Sequence, residues 1–300
     1  MAAMQNVLVL IAAPHRQPLD DSMAATAIDA MRAAGARTDA MRWLAPDEAA
    51  ELPFDGEPTR MRSAVERALE GWPVDVAVVP AGNRRKRLLI ADMDSTIIEN
   101  ETLDELAAEA GVGERVAQIT ARSMRGEIDF TSALRERVAM IQGLGLDALE
   151  RTAARVRVTP GAATLVRTMR HAGAFTALVS GGFRFFTGRI RTAVGFDWDE
   201  ANDLEIHNAR LTGRVVEPVV NRDGKRTALE RLAAAHRIEP TDCLAVGDGA
   251  NDLAMIDAAG LGVAYHAKPV VAAAADVRIE HADLTALLFV QGYAKAEFVA

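Results

Sequence analysis

The chain has 300 residues, 50% of them hydrophobic, and a net charge of −8 from 42 acidic and 34 basic residues. That length buries a sizeable core and predicts two domains. The acidic balance argues against the broad basic surface that nucleic-acid binding requires. Cys243 is the only cysteine, which excludes an intrachain disulfide and a cysteine zinc cluster and fits a reducing setting. No basic region with a long apolar core and a small-residue cleavage site opens the chain, and no apolar run can cross a bilayer, so a cytoplasmic protein with no membrane partner is expected.

Asn6 to Ala13 reads as an apolar strand closed by Pro14. Ser22 to Ala34 has helical spacing, with Met23, Ala27, Ile28 and Met31 on one side, a cap among Asp20, Asp21 and Ser22, and Gly35 as its stop. Thr38 to Leu44 is expected as a second strand, Arg60 to Leu69 as a helix and Val74 to Val79 as a third strand. This order predicts a small α+β sandwich that resembles an ACT-type regulatory domain over residues 1–82. The Gly-containing turn with which such domains hold an amino acid has no counterpart in Pro14-His15-Arg16-Gln17-Pro18. An accessory packing or dimerising role is therefore expected there rather than effector binding. Pro80 to Asn83 reads as the linker. The basic run Arg84-Arg85-Lys86-Arg87 is short and isolated in an acidic chain, and reads as a solvated edge.

Leu88 to Ala91 is too short and too unbroken for an amphipathic helix and reads as a buried strand. It runs into Asp92-Met93-Asp94-Ser95-Thr96, which places two acids at a strand's carboxyl end, where open α/β sheets put their ligands. Two carboxylates so close repel unless a cation lies between them or one holds a proton. Helical patterns follow at Leu103–Ala110, Val116–Ser123 (closing near Gly126), Thr131–Ile141 and Leu146–Val156. They interrupt the alternation of strand and helix and predict an inserted cap over about residues 103–157. Alternation resumes with a helix from Ala162 to Ala172 and a strand from Ala174 to Val179 that ends in Ser180-Gly181-Gly182. Such small residues allow close backbone approach to an anion. A hairpin is expected at Leu204–Ala209 and Leu211–Val216. Lys225 then opens a helix, Thr227 to His236. The strand Cys243 to Val246 ends in Gly247-Asp248-Gly249-Ala250-Asn251-Asp252, and Leu261 to Tyr265 forms a further strand.

Asp92 with Asp94, Ser180 with Gly181, Lys225, and Asp248 with Asn251 and Asp252 stand in the order and settings of the four motifs of the haloacid dehalogenase-like hydrolases, which this chain resembles. The resemblance implies an α/β fold with a Rossmann-like parallel sheet and a helical cap, and phosphoryl transfer through an aspartyl-phosphate. Phosphoryl transfer requires charge neutralisation and in-line positioning. On that reading Asp92 is the nucleophile and Asp94 the acid and then the base. Mg²⁺ is held by the Asp92 and Asp248 carboxylates and the Asp94 carbonyl, with Asp252 supporting them from behind. Ser180, the Gly181 amide and Lys225 hold the phosphoryl oxygens.

The stretch from Asp92 through Glu101-Thr102, with Met124 to Phe130 and Arg137, is similar to the phosphoserine phosphatases, a match that covers roughly Arg87 to Lys268. The resemblance implies a small-molecule substrate, O-phospho-L-serine, and the last step of L-serine biosynthesis. Glu101 takes the ammonium, Arg137 the carboxylate, and Phe130 closes over the substrate; Asn251 joins the substrate contacts. Two alternatives stay open: a related phosphomonoesterase or phosphotransferase, with phosphohomoserine as one case, and a non-catalytic serine-sensing protein. The sequence does not set the oligomeric state, a homodimer being one option. Cys243 falls inside a strand and reads as core rather than reactive.

Overall fold

The computed structural model describes residues 4–13, 15–124 and 127–300. Pro14, expected to close the first strand, and Gly126, expected near a cap helix end, lie outside them, as does Arg125 of the Met124–Phe130 stretch.

The first seven elements are β1 (Asn6–Ala12), α1 (Asp21–Ala33), β2 (Arg37–Thr38), β3 (Arg42–Ala45), β4 (Ala49–Asp55), α2 (Pro58–Ala68) and β5 (Val74–Pro80). Asp20 caps α1 by accepting the Met23 amide at 2.9 Å. Gly35, at φ +91°, supplies the left-handed turn after it. Glu57 caps α2, with Pro58 in the first helical position, where its missing N–H has no cost. The sheet runs β2-β4-β1-β5 with β3 added on β4, and all pairs are antiparallel. The chain order is therefore β-α-β-β-β-α-β. Both helices pack on one face, through Met23, Ala27, Met31, Met61 and Val65 against Leu8, Leu10, Leu52 and Phe54.

β4 is a strand that the sequence reading did not contain. Pro53 argues against a central strand, and Glu51 breaks the apolar pattern. Glu51 is nonetheless buried at 5% exposure, because Arg84, far along the chain, meets its carboxylate at 2.7 Å.

The second sheet begins with β6 (Leu88–Ala91). Four helices follow it: α3 (Thr102–Glu109), α4 (Gly113–Met124), α5 (Phe130–Met140) and α6 (Leu146–Arg155). Next come α7 (Ala162–His171), β7 (Phe175–Phe183), α8 (Arg184–Ile190), the hairpin β8 (Trp198–His207) and β9 (Arg210–Val216), and α9 (Arg222–His236). The remainder is β10 (Cys243–Gly247), α10 (Leu253–Ala258), β11 (Leu261–Tyr265), α11 (Pro269–Ala274), β12 (Val277–Ile279) and α12 (Ala286–Val290). The order is β12-β11-β10-β6-β7-β8-β9, parallel throughout except for the β8–β9 pair. β6 lies in the middle, its four side chains fully buried, with β10 and β7 on either side. The carboxyl ends of these three strands therefore form one rim. α3 to α6 fall where the sequence breaks its strand–helix alternation, and Leu103, Phe130, Leu134 and Arg137 from them face a cavity above that rim. β7 runs on through Ser180-Gly181-Gly182, and α9 starts at Arg222, which puts Lys225 in its first turn. No helix among the described residues is long and apolar enough to cross a membrane.

The two sheets meet along a broad seam. One hydrophobic cluster contains Val7, Val9, Ile11, Ala77 and Val79 of the first sheet together with Leu284, Leu287, Leu288 and Phe289 near the carboxyl terminus. Asp75 of β5, 4% exposed, accepts the amides of Glu280 at 2.7 Å, His281 at 3.2 Å and Ala282 at 2.9 Å. Of the basic run, Arg84 and Lys86 belong to this seam and are not solvated, while Arg85 and Arg87 are exposed as the solvated-edge reading expects. Arg84 donates to Glu51 and to the carbonyls of Phe289 and Val290, while buried Lys86 donates to the carbonyls of Asn83 and Thr241. Arg85 pairs with Glu297 at 2.8 Å. Charges that look free along the chain are consumed by partners remote in sequence.

Candidate active site

Asp92 leaves the end of β6, and its amide is fixed by the Val246 carbonyl of β10 at 3.0 Å. Its Oδ1 accepts the Met93 amide at 2.7 Å and lies 2.6 Å from Lys225 Nζ. Both contacts fall on Oδ1, which leaves Oδ2 to the pocket. The chain then turns tightly through Ser95, at φ +54°. The turn swings Asp94 alongside Asp92, where its Oδ1 accepts the Thr102 amide at 2.8 Å and its Oδ2 the Ser180 hydroxyl at 3.4 Å.

β7 delivers Ser180, Gly181 and Gly182 to the same place, and the glycines are there for space. A Cβ on Gly182 would lie 2.8 Å from Asp94 Oδ2, and one on Gly181 would lie 2.8 Å from the Phe130 ring. Any larger residue would push the acid or the cap aside.

Lys225 is wholly buried. Its ammonium bridges Asp92 Oδ1 and Asp252 Oδ1, each at 2.6 Å. Asp252 Oδ2 accepts the amides of Asp248 at 3.2 Å and Gly249 at 2.9 Å. Asp252 is thus fully engaged: it anchors the lysine and shapes the loop that carries Asp248. The Asp248 carboxylate accepts the Thr96 hydroxyl at 3.3 Å and has Lys268 Nζ at 3.9 Å.

The charges are crowded. Burial, then the Asp252 charge, holds the Asp92 carboxyl well above the usual range, with Lys225 opposing. Burial likewise raises Asp94. Burial and then Asp252 push Asp248 up to about 6, and burial and then Asp94 push Glu101 up to about 7. Burial alone would lower the Lys225 pKa, but Asp252 and Asp92 outweigh it and keep the group charged. Such crowding is unfavourable for stability, which marks the site as functional.

A cavity of about 550 Å³ opens between the rim and the cap. Its wall includes Asp92, Asp94, Glu101, Phe130, Arg137, Ser180, Gly181, Asp248 and Asn251, all named from the sequence. Lys225 and Asp252 lie beneath that wall. Arg137 hangs from α5, and burial lowers its pKa, with Asp104, Glu101 and Asp94 opposing. Asp104 and Lys268 also line the cavity and were missed. Lys268 had a signal, since it follows strand β11 by three residues on the same rim. Asp104 had none.

The donor set fits a hard divalent cation. Carboxylate oxygens of Asp92, Asp248 and Asp252 lie within 4.8 Å of one another, and hard oxygen donors of this kind suit Mg²⁺. Both Asp252 oxygens are committed to Lys225 and to two amides, so direct ligation would fall to Asp92 and Asp248.

A family profile described as haloacid dehalogenase-like hydrolase matches residues 89–257. The phosphoserine phosphatase of Streptomyces coelicolor is 44% identical over 260 residues, which is 85% of this chain and 63% of that protein. This chain therefore spans less than two thirds of that relative. The phosphoserine phosphatase of Methanocaldococcus jannaschii is 39% identical over 205 residues, covering 68% of this chain and 97% of its own length. The crystal structure of a probable phosphoserine phosphatase from Vibrio cholerae superposes with a TM-score of 0.79 at 33% identity, over 98% of this chain and 88% of that one. With its rim of acids, its buried lysine and its helical cap, the chain belongs to the haloacid dehalogenase-like hydrolase family.

Proposed function

We propose that the chain is a Mg²⁺-dependent phosphoserine phosphatase, which hydrolyses O-phospho-L-serine to L-serine and phosphate. One observation carries the reading: a carboxylate gripped by a buried lysine faces a cavity whose opposite wall presents Arg137 and Glu101. Asp92 Oδ2 attacks phosphorus. The serine oxygen departs with the proton of Asp94, whose raised pKa suits an acid near neutrality. Asp94 then takes a proton from the water that cleaves the aspartyl-phosphate. Ser180 and the Gly181 amide hold phosphoryl oxygens, and Lys225 steadies the nucleophile from below. The Asp92 and Asp248 carboxylates and the Asp94 carbonyl would hold Mg²⁺, which would supply positive charge against the phosphoryl group. On the cap side, Arg137 takes the substrate carboxylate in a fork that lysine cannot copy. Glu101 takes the ammonium, Phe130 closes over the chain, and Asn251 contacts the substrate near Asp248.

Residues 83–300 form the catalytic domain on this reading. Residues 1–82 form an ACT-like domain that is accessory to the chemistry, since none of its described residues lines the cavity. The test is phosphate release from a panel of phosphorylated amino acids with and without Mg²⁺. Metal-dependent preference for phosphoserine is expected. Preference for phosphohomoserine would move the chain to the related phosphotransferases, and no turnover at all would leave a serine-sensing protein.

A further inference from the structure

The cap joins the core through two linkers, residues 98–101 and 156–161, and these pair with each other. Ile98 and Val158 form an antiparallel bridge, the Glu99 amide donates to the Arg157 carbonyl at 2.9 Å, and the Thr159 amide donates to the Ile97 carbonyl at 3.0 Å. Asn100 sits at the crossing, 8% exposed and outside the wall of the catalytic cavity. Its carbonyl accepts the Ser95 amide at 3.2 Å, at the strained turn between the two catalytic acids and the hinge. Its side-chain Oδ1 accepts the Arg157 amide of the returning linker at 2.7 Å, and its Nδ2 donates to Glu105 of α3. An amide side chain offers a carbonyl acceptor and an NH₂ donor on separate atoms, which suits a backbone N–H on one side and a carboxylate on the other.

We infer that Asn100 is a positioning residue that clamps the cap hinge. One side chain ties together both linkers and the first cap helix, and its backbone ties them to the catalytic turn. Glu101, the next residue, projects into the cavity and accepts the Ser95 hydroxyl at 2.8 Å, so the clamp fixes its approach. Arg137 and Phe130 ride on the cap that the clamp holds. The residue touches no substrate atom, yet it sets the spacing between the groups that grip the amino acid and the acids that act on the phosphate. Its role in catalysis rests on the phosphatase reading; its role in the hinge does not.

Two measurements on the full chain test this. Asn100→Ala is expected to raise KM for phosphoserine about tenfold with kcat within about threefold, since misplaced gripping groups weaken binding before they slow chemistry. A merely structural role would instead lower kcat through lost active protein and leave KM unchanged, and that result would overturn the clamp. The exchanged pair Asn100→Asp with Glu105→Gln restores the hydrogen bond in the reverse sense and is expected to recover KM; a KM as high as that of Asn100→Ala would count against the proposal. Amide hydrogen exchange reads the hinge without substrate. Faster exchange at Glu99, Arg157 and Thr159 in Asn100→Ala is expected, and unchanged protection there would sink the clamp even if the substrate proves to be another phosphate ester. Absence of phosphoserine turnover in the unsubstituted protein would instead overturn the functional reading alone.

Discussion

Asp92 and Asp75 are both buried carboxylates that burial lifts above their usual range, yet they sit in opposite kinds of surroundings. Around Asp75, in the seam, the opposing influences are the backbone amides of Glu280, Ala282 and His281, and its hydrogen-bonding capacity is met. Around Asp92, in the catalytic rim, the next influence after burial is another acid, Asp252, and Asp248 adds to it. Lys225 is the single strong counterweight. A satisfied buried acid holds architecture together. A crowded one, beside a cavity, is held at a cost that added positive charge would relieve.

Breaking each region separately should sharpen the contrast. Asp92→Asn is expected to abolish phosphoserine turnover, by a factor on the order of 10⁴ or more, while leaving the melting temperature equal or higher because a repelled charge is gone. Turnover near the unsubstituted level would remove Asp92 as nucleophile. Deleting residues 1–83 strikes the other region. It exposes Leu284, Leu287 and Phe289 and takes Glu51 away from Arg84, so cooperative unfolding should be lost although no cavity residue is removed. A truncated chain with a sharp unfolding transition would show the seam to be superficial.

Smaller effects separate the regions more finely. Asp75→Asn puts an NH₂ where amides need an acceptor, and should lower stability by about 2–4 kcal/mol in denaturant titration, with kcat/KM unchanged. A loss of activity in the still-folded variant would link the seam to the site. Arg137→Ala should raise KM for phosphoserine about 30-fold or more, in line with loss of a charge-assisted pair worth roughly 2–3 kcal/mol, and should affect an aryl phosphate far less. Equal effects on both substrates would reject the carboxylate role. Glu101 gives the smallest signal. Its pKa, raised to about 7, leaves it protonated below that pH and charged above it. Attraction for the substrate ammonium should therefore weaken as pH falls from about 8 to 6, with KM rising less than about tenfold. Glu101→Gln should flatten that profile, and a profile unchanged by the substitution would acquit Glu101.

The catalytic rim was legible in the sequence because a parallel sheet writes its site locally. Each motif is an apolar run followed by a polar cluster, so Asp92, Ser180 and Asp248 announced themselves one strand at a time. The cap helices were legible for the same reason, through local periodicity. The seam was not. Glu51 and Pro53 hid β4, and Arg84 and Lys86 looked solvated, because their partners at residues 241, 289 and 290 are distant in the chain. The short late elements α10, α11 and β12 carry too few residues for a pattern and are fixed by tertiary contacts, β12 through its pairing with β11. Lys268 was overlooked because its one signal, its place just after β11 on the same rim, comes with no motif; the fold brings it to 3.9 Å from Asp248.

The central claim is that Asp92 carries the phosphoryl group. Brief incubation with phosphoserine and Mg²⁺, acid quench, borohydride reduction and peptide mapping test it directly, because borohydride converts an aspartyl-phosphate to homoserine. Homoserine at position 92 alone, absent without substrate, is the predicted result. Steady turnover with an unmodified Asp92, or with the label on another carboxylate, would contradict it.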